Sequence, residues 1–172
     1  PQQVVCPGAV VTFDARESYD PDGDIISHTW SFGDGGADSG AVVRHQYERA
    51  GRYRVVLALR DECGSQCSMA TDTTYVTVNA PPVARFAADT AIFVGGAHDE
   101  LVLDASRSAD PDGGYLRCQW DLGDGTVKEG VRIRHTYFEP GRYTVTLTVS
   151  DESRTDCSVS VARFTVNARR RE

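Results

Sequence analysis

Apolar and polar positions along this chain alternate in short runs with a period of two. The clearest run follows Gly141, where Tyr143, Val145, Leu147 and Val149 alternate with Thr144, Thr146, Thr148 and Ser150. Strand side chains point to opposite faces in turn, so this run predicts an antiparallel strand buried on one face only. After Gly51, Tyr53, Val55, Leu57 and Leu59 alternate in the same way with Arg54, Val56, Ala58 and Arg60. Shorter runs predict strands over 10–15, 25–32, 42–47 and 75–78, then over 101–105, around Trp120, and over 133–137 and 164–166. Turn formers separate them: Asp20-Pro21-Asp22-Gly23-Asp24, Gly33-Asp34-Gly35 and a polar connection through Gly40 in the first half, Asp110-Pro111-Asp112-Gly113 in the second. In such turns proline fixes one backbone angle and glycine frees another. Many short strands, frequent turns and no helical period predict an all-β chain built of two-sheet sandwiches.

Trp30-Ser31-Phe32-Gly33-Asp34-Gly35 recurs ninety residues on as Trp120-Asp121-Leu122-Gly123-Asp124-Gly125, and the flanking strands recur in the same order. The chain therefore holds two copies of one unit, 1–80 and 81–172. In each copy the tryptophan and the apolar residue two places on share the inward side of a strand, and the Asp of the turn is placed to bond nearby backbone N–H groups. Asn79-Ala80-Pro81-Pro82 joins the copies, and its two prolines predict a short, semi-rigid hinge. Residues 83–86 have no counterpart in the first copy, so the first unit either lacks its opening edge strand or takes it from residues 1–5. The chain begins mid-pattern at Pro1 and reads as a piece of a longer protein.

Composition narrows the function classes. A net charge of −7, with no basic stripe except Arg169-Arg170-Arg171, argues against nucleic acid as a partner; that tail reads as the start of a linker. No apolar run is long enough to cross a bilayer, so membrane insertion is not expected. Five cysteines in a Gly- and Asp-rich chain predict an oxidising setting: extracellular, cell-surface or periplasmic.

The succession Asp-Pro-Asp-Gly, Trp-x-(Phe/Leu)-Gly-Asp-Gly, His-x-Tyr, Gly-Arg-Tyr-x-Val-x-Leu and Thr-Val-Asn-Ala resembles the PKD (polycystic kidney disease) domain family, in two tandem copies over nearly the whole chain. Trp120-Asp121-Leu122 departs from the family's more usual Trp-Asp-Phe, and Trp30-Ser31-Phe32 lacks its Asp; neither change threatens the fold. The resemblance implies tandem immunoglobulin-like β-sandwiches in extracellular proteins, bacterial secreted proteases and chitinases among them. It implies a non-catalytic spacer and protein-interaction module of a larger secreted or surface protein. The second reading is a carbohydrate- or matrix-binding accessory module of a secreted hydrolase. Expected partners are other domains of the parent protein, with a protein or polysaccharide ligand as a further one.

In a sandwich of this kind the turn before the Trp strand and the loop after the Gly-Arg-Tyr strand share one end. Asp20, Asp22 and Asp24 are then expected near Asp61 and Glu62, and Asp110 and Asp112 near Asp151 and Glu152. Converging carboxylates suit Ca²⁺, at a dissociation constant of about 10⁻⁴ to 10⁻³ M for an extracellular module; the competing reading makes these aspartates turn caps. Cys118 and Cys157 fall at the same end and are the preferred disulfide of the second unit. His28 stands where Cys118 would be in the first, which leaves Cys63–Cys67 as a loop staple and Cys6 over. A bond from Cys6 to Cys63 or Cys67, and a zinc site from Cys63, Cys67 and His28, are the alternatives. His45 and His135 read as strand histidines whose rings bond a neighbouring loop, and Tyr53 and Tyr143 as corner tyrosines tied to backbone. No paired acid and base, nucleophile or cofactor loop is found, so the chain is not expected to be an enzyme. Val56 and Ala58, on the outward face of the first long strand, point to the first unit as the one carrying a partner-binding sheet face.

Overall fold

The computed structural model describes residues 3–62, 69–94 and 99–170, and every regular element among them is a β-strand. The chain divides into two compact units, Pro1–Ala80 and Pro81–Glu172.

Unit 1 contains β1 (Gln3–Val5), β2 (Val10–Asp14), β3 (Ile25–Ser31), β4 (Ala37–Ser39), β5 (Val42–Gln46), β6 (Gly51–Asp61) and β7 (Met69–Val78). One layer has the order β1-β7-β6-β3-β4, and the facing layer is the pair β2-β5. Alternation along β2 and β6 turns Val11, Phe13, Val55 and Leu57 inward, where they meet Trp30, Phe32, Val43, Val76 and Val78 in one core.

Unit 2 repeats the plan with β8 (Ala87–Ala88), β9 (Ala91–Val94), β10 (Leu101–Asp104), β11 (Arg117–Asp121), β12 (Val127–Glu129), β13 (Arg132–His135), β14 (Gly141–Ser150) and β15 (Val159–Arg170). Its layers are β12-β11-β14-β15-β9 and β13-β10-β8. Trp120 pairs across from Leu147, and both lie in one buried core with Leu101, Leu103 and Val166. These are the immunoglobulin-like β-sandwiches expected from the sequence.

Several boundaries differ from the sequence reading. The polar connection through Gly40 contains β4, and β12 matches it in unit 2; both are three-residue edge strands too exposed to need an apolar alternation. β1 and β9 run parallel to β7 and β15, so residues 3–5 do supply an edge strand, but as the counterpart of 91–94 rather than of 83–86. Residues 83–88 instead form a bridge from Val83 to Ala109 and then β8 on β10. Arg169 and Arg170 are not linker: they continue β15 opposite Phe93 and Val94.

Gly33 and Gly123 begin the turns after the Trp strands at φ of 82° and 75°, in the left-handed region that L side chains avoid. A Cβ at Gly123 would stand 2.6 Å from the Thr144 carbonyl oxygen of β14, whereas one at Gly125 meets nothing within 4 Å. Gly123→Ala is therefore expected to destabilise unit 2 by about 2–4 kcal/mol, strain plus backbone clash, and Gly125→Ala by only about 1 kcal/mol. Urea unfolding of both variants followed by Trp fluorescence separates the two cases, and equal losses would refute the close-packing argument.

Candidate functional site

The residues that sequence analysis singled out gather in two places in each unit: the turn after the Trp strand, and the loop end carrying the Asp-Pro-Asp-Gly run. At the first, Asp34 Oδ1 accepts the Gly36 N–H at 2.9 Å and its Oδ2 lies 2.7 Å from His45 Nε2. His45 stacks on Phe32 at 4.0 Å and meets Tyr47 edge-on. The buried Tyr47 hydroxyl donates to the Phe32 carbonyl at 3.2 Å. Unit 2 reproduces the set: Asp124 accepts from Thr126 N–H at 2.9 Å and pairs with His135 at 2.7 Å, and the Tyr137 hydroxyl donates to Leu122 O at 2.6 Å. Tyr53 and Tyr143 stack on Tyr47 and Tyr137 and donate to the carbonyls of Arg49 and Glu139, which makes them the expected corner tyrosines.

Burial pushes the Tyr47 hydroxyl up to about 12, with the Asp34 carboxylate adding to the rise, and Tyr137 is raised for the same reasons. Burial also works to raise Asp124, but the Thr126 N–H and His135 bonds outweigh it and leave the carboxyl below its ordinary value. A hydroxyl held in its neutral form and a carboxylate fixed between two internal partners form a fold-stabilising clamp. Among the described residues no serine or cysteine is hydrogen-bonded to either histidine, so this node does not assemble a nucleophilic triad.

At the loop end of unit 1, Asp20, Asp22 and Asp61 of the expected carboxylates come near one another. The Asp20 carboxyl beside Asp22 raises the Asp22 carboxyl above its ordinary value, and Asp61 adds to the rise from further off. Asp20 also caps the Asp22 N–H at 3.2 Å, as Asp110 caps Asp112 at 2.8 Å, so the turn-cap role is realised in both units. In unit 2, Asp151 and Glu152 line a cleft of about 520 Å³ together with Arg117, Arg154 and Tyr115. Among the described residues no three Asp, Glu, His or Cys side chains are disposed to hold a metal ion.

The cysteine expectations need correction. Cys118 is a free, buried thiol, and burial raises it above its ordinary value; Cys157 is disulfide-bonded elsewhere, and so is Cys6, which was expected to be left over. The reason lies in strand alternation. Cys118 shares the inward face of β11 with Trp120, while Cys157 sits in the turn before β15, its Sγ 3.2 Å from Thr155 Oγ1. Cys63 and Cys67 lie outside the described residues, and with them the proposed loop staple and the zinc alternative. The outward face of β6 is also less exposed than its sequence suggested: Val56 and Ala58 are half-buried, whereas Val127, Val159 and Val161 on the matching layer of unit 2 are exposed.

Two immunoglobulin-like sandwiches whose histidines, tyrosines and turn aspartates bond inward define a structural module. The chain belongs to the PKD domain family, whose model matches residues 1–78 and again 79–166. The PKD domain is a non-catalytic domain type. The chain is similar to pre-pro-metalloprotease PrtV of Vibrio cholerae serotype O1 (strain M66-2), 30% identical over 135 residues, which are 78% of this chain and 14% of that protein. It is similar to collagenase ColA of Clostridium perfringens (strain 13 / Type A), 37% identical over 86 residues, 49% of this chain and 8% of that protein. Among solved structures it is similar to the PKD1 domain of Vibrio anguillarum Epp, with 27% identity and a TM-score of 0.44, covering 54% of this chain and 99% of that one. The chain thus spans only a small part of the curated relatives it matches.

Two electrostatic outcomes follow from these nodes. Asp124 is depressed on folding, so its stabilisation is complete above the ordinary carboxylate value of 3.8 and is lost as pH falls below it. Asp124→Asn is expected to cost unit 2 about 1–2 kcal/mol at pH 7 and to flatten the acid limb of its stability curve, which thermal melts from pH 7 to pH 2 will read. Asp22 is raised on folding, so its charged form weakens unit 1 as pH rises through the window above 3.8. Asp22→Asn is expected to raise the melting temperature at pH 7 and to leave it unchanged at pH 3. A variant that instead loses stability, and only with millimolar Ca²⁺ present, would identify the cluster as a ligand set.

Proposed function

We propose that this chain is a non-catalytic accessory segment of an extracellular protease-class protein, where it spaces neighbouring domains and contacts protein of the surrounding matrix. The observation that carries this reading is the duplicated Asp–His–Tyr node: in both units the polar groups able to do chemistry are bonded into the fold. The protease and collagenase names of its relatives, in which the matching stretch is a minor portion, support the setting and the class of partner. No helix among the described residues is long and apolar enough to cross a membrane. Rigid sandwiches with half-apolar sheet faces suit a spacing and contact role, because binding then needs little ordering of the module itself.

Carbohydrate binding is the second reading, and one observation favours it: Tyr115 is exposed beside the Arg117, Asp151, Glu152 and Arg154 cleft, an aromatic face next to polar groups. Tyr19, Phe93 and Phe138 are also exposed, but they sit on separate loops and strands rather than in a row.

Co-sedimentation with insoluble collagen and with chitin, together with a hydrolysis assay on gelatin, tests the proposal. The expected result is retention on collagen and no cleavage. Retention on chitin alone, abolished by Tyr115→Ala, would replace the proposal with the carbohydrate reading, and cleavage by the purified chain would overturn both.

A further inference from the structure

The five-stranded layer of unit 1 sorts its charged side chains by sign. Along β6, Tyr53, Val55, Leu57 and Leu59 turn toward the core, while Arg52, Arg54 and Arg60 turn outward and are exposed. The acidic residues of the same layer go the other way. Asp38 of β4 stands across from Trp30, Asp72 of β7 stands across from Leu57, and Asp61 follows Leu59 by two places on β6. Residues directly opposite in a ladder share a face, so the carboxylates take the Trp30 side and the arginines the outward side. Unit 1 as a whole is acidic, with eleven Asp and Glu against six Arg, so this face runs against its average charge. Residues 1, 2 and 63–68, outside the described part, contain no Asp or Glu that could neutralise it.

The arginines are held in place without being neutralised. The Arg52 guanidinium lies over the Tyr75 ring, 4.2 Å from its centre, and Arg54 Nη2 donates to Thr73 Oγ1 at 3.4 Å. Both partners are neutral. Among the described residues Arg16, Arg132, Arg134 and Arg170 each meet a carboxylate, whereas Arg52, Arg54 and Arg60 form no ion pair, although Glu62 follows Arg60 past the strand end. Hydroxyls fill the face between them: Ser31 and Thr73 flank Val56, and Thr29 and Thr71 flank Ala58. The larger exposed apolar side chains, Val4 and Met69, stand at its margins, so the centre lacks the buried anchor that protein partners use. Unit 2 supplies the contrast. Thr144 and Ser150 stand where Arg54 and Arg60 do, and Asp121 and Glu129 where Ser31 and Ser39 do. Arginines on that face, such as Arg117, Arg142 and Arg163, therefore share it with carboxylates.

We propose that the outward face of the β1-β7-β6-β3-β4 layer docks an extended carboxylate-bearing polysaccharide, a polyuronate. The guanidinium fork pairs with a planar carboxylate through two parallel hydrogen bonds, and the serine and threonine hydroxyls match the sugar hydroxyls between carboxylates. At about 3.4 Å per residue, Arg52 and Arg54 stand about 7 Å apart along β6 and Arg60 about 20 Å further on, so a polymer reaching all three runs along the strand. This face is separate from the Tyr115 cleft of unit 2, and its ligand is separate from the protein contact proposed for the module.

The test is affinity electrophoresis of the whole chain through gels containing polygalacturonate, with dextran as the neutral polymer and dextran sulfate and poly-glutamate as other polyanions. Retardation by polygalacturonate and not by dextran is expected, weakening several-fold between low salt and about 0.15 M. The double variant Arg52→Gln, Arg54→Gln is expected to weaken it about tenfold or more, and Arg142→Gln, on the matching strand of unit 2, by less than about twofold. Ser31→Asp with Ser39→Glu, which copies unit 2 and leaves the arginines intact, should weaken it likewise, and thermal melts check that each variant is folded. No retardation by polygalacturonate overturns the proposal, as does an equal loss in Arg142→Gln. Equal or tighter binding of poly-glutamate would assign the face to an acidic protein, and of dextran sulfate to sulfate groups; either result overturns it. The collagen assay contains no polyuronate, so the two proposals fail separately.

Discussion

An indole ring held between two sheets, with its single polar atom bonded, is the constraint on which the rest of each unit depends. Trp30 and Trp120 donate from Nε1 to the carbonyls of Gly40 and Gly130, both at 3.0 Å. Burying a ring of this size contributes about 5 kcal/mol in area terms, and leaving the N–H unpaired would forfeit about 1–3 kcal/mol. The bond also explains a strand with no apolar pattern of its own. β4 ends at the glycine whose carbonyl the indole holds, and the N–H of that glycine bonds back to His28 O at 3.1 Å. In unit 2 the corresponding bond runs from Gly130 N–H to Cys118 O at 2.9 Å, so a polar edge strand is pinned from both sides.

From the ring outward, each polar group finds its partner in the next. The residue two places after Trp fills the core and offers its carbonyl to the tyrosine of the opposite layer. The glycine that follows lets the turn press against the backbone of β6 or β14. The aspartate of that turn then reaches the histidine beside the tyrosine, and Asp, His, Tyr and turn close on one another. The polar groups of the node are thereby satisfied inside the module, as buried polar groups must be.

The long strands, the buried tryptophans and the tyrosine corners were legible because each is written in local alternation or in a repeated motif. The Asp–His pairing was half legible: the sequence placed His45 and His135 on strands beside a loop, but the identity of the partner depends on how the two layers face each other. Short edge strands such as β4 and β9 were not legible, since three or four residues are too few to carry a periodic signal. The cysteines misled for a related reason. Cys118 and Cys157 were matched by the end of the sandwich they occupy, yet one points into the core from a ladder and the other sits in a turn.

Internal duplication makes each unit a control for the other, and the differences can then be sorted by what they touch. Positions engaged with the indole, the turn and the tyrosine are the same or conservatively changed: Trp30 and Trp120, Phe32 and Leu122, Tyr47 and Tyr137. Positions outside that network drift freely. His28 stands for Cys118, Thr74 for Phe164, and a like-charge cluster around Asp22 for a cleft lined by Arg117, Arg154, Asp151 and Glu152. The fold accepts these exchanges because none of them alters the interlayer bonds. Whatever distinguishes the two units in recognition must therefore reside in their loop ends and outward sheet faces, where the sandwich geometry leaves side chains free to change.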